Sequence, residues 1–150
     1  MTEIALRLSE IARNISQVAI ASGRNSDSVK LVAVSKTYPV TAIKDAFSAG
    51  QRLFGENRPQ EMKEKYEELK ALGGYESIEW HVIGQLQKNK VKYIAPFVEL
   101  IHSVDSLDLL KTINKEAFKN NRLINVLLQI SDGRLVFIPA NRVTEFTQNI

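Results

Sequence analysis

Apolar residues gather in five short runs, at 31–35, 52–55, 79–83, 100–104 and 124–130, recurring roughly every 20 to 27 residues. Each run is bounded by turn residues or a helix start and is nearly continuously apolar rather than alternating, which predicts parallel strands covered on both faces. Helical periodicity fills the gaps. Ile4, Leu8, Ile11, Ile15 and Val18 form a stripe at spacings of four and three, with Gly23 as a stop. A second helix over 41–48 places Ile43 and Phe47 on one face and ends before Gly50. A third over 59–71 opens with Pro59 at the first helical position and ends before Gly73 and Gly74. A fourth over 85–94 stops at Pro96, and Ser106 caps a fifth that carries Asp108 in its first turn and turns Leu110, Ile113 and Ala117 inward.

A helix followed by repeated strand and helix units predicts an α/β fold, either a (β/α) barrel or a doubly wound sheet. Polar residues sit near the ends of the runs: Lys36 after the first, Glu56 and Asn57 after the second, Gly84 and Gln85 after the third, Ser103 and Asp105 around the fourth. In a barrel, sites are built at those strand ends, so their convergence favours the barrel.

The 150 residues suit one domain, and composition narrows its setting. With no cysteine, disulfides, thiolate nucleophiles and zinc–thiolate sites are excluded, and a cytoplasmic location is expected. The first ten residues carry Glu3 and Glu10 without a basic patch and apolar core, and no apolar stretch reaches membrane length, so neither secretion nor membrane insertion is expected. The net charge of +3 comes from 20 basic residues interleaved with 17 acidic ones, so nucleic-acid binding has little behind it. The densest basic cluster, Lys88, Lys90 and Lys92, reads as a solvated helix face. The charged stretch 61–70, with Glu61 and Lys65 four apart, reads as an amphipathic outer helix without a function.

Lys36 is the first candidate for chemistry. A strand-end lysine that loses its water is driven toward the neutral amine, which condenses with an aldehyde or ketone to a Schiff base with loss of water. On position alone, a solvated lysine is the commoner case. His81 and His102 lie within strand runs, where one could face a barrel interior as a proton shuttle, though a satisfied core histidine is more usual. Trp80 reads as packing. No zinc, dinucleotide or P-loop motif is present.

Four segments in order, VAVSKTYP (32–39), FGENRPQE (54–61), WHVIGQLQKNK (80–90) and IHSVDS (101–106), resemble the pyridoxal phosphate homeostasis protein family. The likeness covers about residues 1–130. It implies a (β/α) TIM-type barrel similar to the N-terminal domain of alanine racemase. It also implies pyridoxal 5'-phosphate (PLP) held as a Schiff base on Lys36, with Asn57 beside the cofactor and His81, Ile83 and Ser103 lining the pocket. The family has no established turnover and is thought to maintain the supply of free cofactor, so the chain is expected not to be an enzyme. A racemase- or decarboxylase-type enzyme would share the barrel and lysine but needs a second, mostly β domain. A class I aldolase would need a second lysine and a carboxylate at the site.

Family members continue for three further units, whereas this sequence stops at Ile150 and its segment 131–150 does not resemble theirs. The expectation is an incomplete barrel of about five of eight units, with 131–150 a divergent tail of the kind a frameshift produces. The turn signal Ser131-Asp132-Gly133 before a strand-like run predicts a hairpin on the fifth strand, with disorder as the alternative. The groups that grip the PLP phosphate in the family come from the units beyond this sequence. The resemblance therefore implies weak, reversible cofactor attachment or a non-functional fragment. The family's own state is a monomer or weak dimer, and an open barrel edge predicts self-association of this chain.

Overall fold

A computed structural model describes residues 2–129 and the strand at 135–138. Helix α1 (Glu3–Ala21) is capped by Thr2, whose hydroxyl accepts from the Ala5 N–H at 3.3 Å. Then follow β1 (Ala33–Val34), α2 (Val40–Ser48), β2 (Leu53–Glu56), α3 (Pro59–Leu72) and β3 (Glu79–Val82). The short α4 (Val91–Ile94), β4 (Val98–Val104), α5 (Leu107–Lys119), β5 (Asn125–Gln129) and β6 (Leu135–Ile138) complete the order. Pro59 occupies the first turn of α3, and Gly73, at φ 72°, ends it in a conformation that favours glycine. Ser106 caps α5 through the Leu109 N–H at 3.3 Å.

All the strands lie in one sheet in sequential order, β1 to β6, and β1 to β5 pair parallel. A doubly wound sheet would reverse direction partway across, so unbroken sequential order decides for the barrel type. Strand β6 pairs antiparallel with β5, from Val126 opposite Ile138 to Gln129 opposite Leu135. That agrees with a fold-back of the chain, although the turn at 131–133 lies outside the described residues.

The helices cover one face of the sheet. Phe54, Trp80, Val82, Ile101 and Val126 point into that layer and are buried against Ile43 of α2, Met62 and Leu69 of α3, Ile94 of α4 and Leu110 and Ile113 of α5. This face holds the core, and exclusion of water from it supplies the main stabilisation. The other face differs from the expectation of strands covered on both sides. It presents Val34, Gly55, His81 and Leu100, aligned by register, and Val34 remains 48% exposed. Leu100 and His102 are half-buried there.

Two helices also depart from the periodicity. In α1 the stripe is only half used: Ile4, Leu8 and Ile15 are half-buried, Ile11 and Val18 are exposed, and Ala19 is the buried residue. The helix leans on α2 and on the 3₁₀ turn Ser26–Ser28, and only its Ile4 and Leu8 pack against the core. Over 85–94, helix begins only at Lys88, as a single 3₁₀ turn running into α4. Leu86 is drawn into the core at 4% exposure while Gln85 and Gln87 stay exposed, an in-out alternation that holds this stretch extended. Lys88 pairs with Asp108 at 2.8 Å on the surface, consistent with a solvated basic cluster.

Candidate functional site

Beyond Val34 the chain keeps one more ladder bond, from the Ser35 N–H to the Gly55 carbonyl at 3.0 Å, and then turns. The Tyr38 N–H donates to the Ser35 carbonyl at 3.0 Å, closing a turn with Lys36 and Thr37 at its centre. Thr37 has φ 66°, a left-handed conformation that is costly for a β-branched residue. Because Lys36 stands on this turn rather than inside the strand, it is exposed. The desolvation expected of a buried strand end is therefore not what the structure shows. Its ammonium makes no hydrogen bond or ion pair among the described residues.

Behind the turn, on the helix side, lies a buried polar cluster. Lys65, at 7% exposure, donates from Nζ to the Ser35 carbonyl at 2.8 Å, to Glu56 Oε1 at 2.7 Å and to Glu61 Oε1 at 2.7 Å. The Ser35 hydroxyl donates to the same Glu56 oxygen at 2.7 Å, and the Thr37 N–H donates to Glu61 Oε1 at 2.7 Å. Glu56 is fully buried, and its Oε2 has no hydrogen-bond partner among the described residues. The bond from Lys65 holds the Glu61 carboxyl below the usual glutamate range, and the Thr37 N–H adds to the effect. Periodicity missed this cluster by treating 61–70 as a solvated face. The available signal was Met62, Lys65 and Leu69 at spacings of three and four, a lysine set within an apolar stripe.

The other expected site residues occupy successive strand ends. Asn57, just past β2, is half-buried, and its side-chain amide makes no hydrogen bond among the described residues. Its backbone lies so near Gly84 that a Cβ there would come within 3.0 Å of the Asn57 Cα. Ile83 packs over Gly55, where a Cβ would meet Ile83 and Val32 side-chain atoms at 3.1 Å. The Ser103 hydroxyl is committed to the Gly84 carbonyl, tying β4 to the end of β3. His81 reaches His102 across the strands, Nδ1 to Nε2 at 3.1 Å. Burial, helped by the neighbouring ring, pushes the His81 pKa down to about 4, and burial also lowers that of His102. Both rings are thus neutral near pH 7, one donating and the other accepting.

No hydrogen bond joins Lys36 to Asn57, His81 or Ser103 among the described residues; the sheet brings them to one end without direct polar contact. A cleft of about 460 Å³ opens beside them, lined by Asn57, Arg58, Glu61, Gln85 and Lys90 among others. Of the five expected residues it takes in Asn57 alone.

Five parallel strands in sequential order, with a lysine amine and an asparagine amide beyond their C-terminal ends that make no hydrogen bond among the described residues, have the strand arrangement of a (β/α) barrel. The chain belongs to the alanine racemase, N-terminal domain family, whose profile matches residues 6–148. It is 43% identical over 127 residues to the pyridoxal phosphate homeostasis protein of Aquifex aeolicus (strain VF5), covering 85% of this chain and 54% of that one. It is 39% identical over 131 residues to the protein of the same name from Escherichia coli (strain K12), covering 87% and 56%. Among solved structures it is similar to PipY of Synechococcus elongatus PCC7942 with PLP bound, at 37% identity and a TM-score of 0.71, over 86% of this chain and 55% of that one. The chain spans about half the length of the relatives it matches.

Proposed function

We propose that this chain is the N-terminal part of a PLP-holding homeostasis protein and that the cofactor is carried covalently on the Nζ of Lys36. One observation carries this reading. Of the two lysines beside the Ser35 carbonyl turn, Lys65 is buried and committed to two carboxylates, whereas Lys36 is exposed and makes no hydrogen bond or ion pair among the described residues. Of these two, Lys36 offers the amine that an incoming aldehyde can reach. Bound there, the cofactor would supply an aldehyde carbon and an electron-withdrawing ring.

The remaining residues supply position rather than reaction. Asn57 offers an uncommitted amide at the adjoining strand end, and Gly84 lets its backbone come close. Ser103 acts through the Gly84 carbonyl, while Ile83 and the neutral His81 and His102 line the open face of the sheet. The curated relatives carry the name of a homeostasis protein rather than that of an enzyme, which supports reading the chain as a carrier. The barrel portion is read as 1–130, with 131–150 a divergent tail, and the cytoplasm is the expected compartment. Among the described residues no helix is long and apolar enough to cross a membrane.

Titrating the chain with PLP and following the visible absorbance of the lysine adduct tests the reading. A saturable band in the chain that is absent in Lys36→Ala is expected, with no racemisation of added L-alanine. An equal band in both proteins would move the attachment elsewhere, and racemisation would make the protein an enzyme.

A further inference from the structure

We infer that Glu61, anchored by Lys65, is a positioning residue that locks the Lys36–Thr37 turn and so fixes where the Lys36 amine stands. This rests on the reading of Lys36 as the cofactor lysine. Three features of the turn converge on α3. The Ser35 carbonyl, which already closes the turn through the Tyr38 N–H, receives a second bond from Lys65 Nζ at 2.8 Å. The Thr37 N–H points at Glu61 Oε1 at 2.7 Å, a charge-assisted bond. Thr37 holds φ 66°, which a β-branched residue adopts only when its surroundings impose it.

The geometry supplies the imposing group. Released from Glu61, Thr37 would relax toward negative φ, and the preceding Lys36 would swing with it, because the two share the centre of the turn. Glu61 is itself held in place. The Lys65 ammonium binds the oxygen that accepts from Thr37, and Lys65 in turn is fixed by fully buried Glu56. The chain Glu56, Lys65, Glu61, Thr37 thus runs from the interior of the sheet to the residue next to the amine. A cluster serving stability alone would have no need to reach the one strained residue beside an exposed, unpartnered lysine.

The test uses the whole chain and four proteins: wild type, Glu61→Ala, Glu61→Gln and Glu61→Ala combined with Thr37→Gly. Glu61 is partly exposed, and its removal leaves Lys65 paired with Glu56, so folding should survive; far-UV circular dichroism checks this. Two readouts follow, amide hydrogen exchange at Thr37 by NMR and the rate of PLP attachment to Lys36 trapped with borohydride. Glu61→Ala should lose Thr37 protection and slow attachment about tenfold, the scale of one charge-assisted hydrogen bond. Glu61→Gln keeps an acceptor and should stay near wild type. Thr37→Gly, free to adopt positive φ, should recover part of the loss without restoring the bond. Unchanged Thr37 exchange in Glu61→Ala would overturn the inference whether or not PLP attaches. Where PLP attaches to Lys36 in the wild type, so would an equal attachment rate in Glu61→Ala. A wild-type chain with Thr37 protection that depends on Glu61 but no PLP on Lys36 would support the lock and reject the cofactor reading.

Discussion

Replacing Lys65 with methionine removes the single cation from a buried cluster and should be among the most damaging substitutions in the chain. In the native protein Glu56 is completely buried, and one of its oxygens is satisfied by Lys65 and the Ser35 hydroxyl. Without Lys65, that carboxylate keeps only the serine, and its second oxygen still has no partner among the described residues. Breaking a buried ion pair in this way costs about 3–5 kcal/mol, because the stranded charge is left uncompensated. Domains of this size are stable by roughly 5–15 kcal/mol, so about a fifth or more of the total is at stake. In urea, with a slope of about 2 kcal/mol per molar, the midpoint should fall by about 2 M. The double variant Glu56→Gln, Lys65→Met removes both charges and should lie well above the single variant in stability. A Lys65→Met loss below about 1 kcal/mol, or a double variant at least as unstable as the sum of its parts, would refute the reasoning.

Three further outcomes follow from the same geometry. Gly84→Ala places a Cβ within 3.0 Å of the Asn57 backbone, so it should cost about 1–3 kcal/mol in urea unfolding and shift the Asn57 amide resonances; an unchanged spectrum would contradict the contact. His81, held near a pKa of about 4 against 6.5 for an ordinary histidine, leaves the unfolded chain binding more protons between those values. Stability should therefore fall as pH drops from 6.5 toward 4, by at most about 3 kcal/mol, and His81→Gln should flatten that loss; identical pH profiles would count against it. Trp80→Ala should lose about 3–5 kcal/mol, since the indole is buried to 2% in the helix-side core, and a melting temperature within a degree or two of wild type would exclude that packing role.

The repeating strand and helix rhythm was legible because the strands read as short apolar runs between helical stripes, and the helix starts at Pro59 and Ser106 speak through local chemistry. What escaped was tertiary. The stretch before Lys88 carries helical periodicity, yet burial of Leu86 overrides it. The stripe of α1 predicts burial that its partner α2 supplies only in part. For the site, motif resemblance pointed to Lys36, Asn57, His81, Ile83 and Ser103, which the structure places on or just beyond neighbouring strands, with no hydrogen bond from Lys36 to the others among the described residues. It could not reveal that Lys36 stands on an exposed turn, because the turn depends on Thr37 adopting a conformation that threonine disfavours. Nor could it show that Lys65 lies inside the protein. A lysine in an amphipathic helix reads as solvated until Glu56, nine positions earlier and facing the helices from β2, provides its counter-charge.

The central claim is that Lys36 carries the cofactor, and trapping tests it most directly. The chain is incubated with PLP, reduced with borohydride, digested and mapped by mass spectrometry. The account predicts a pyridoxyl-phosphate adduct on Lys36 and none on Lys65, with labelling abolished in Lys36→Ala. Adducts scattered over surface lysines at rates equal to that of Lys36, or undiminished total labelling in Lys36→Ala, would contradict it.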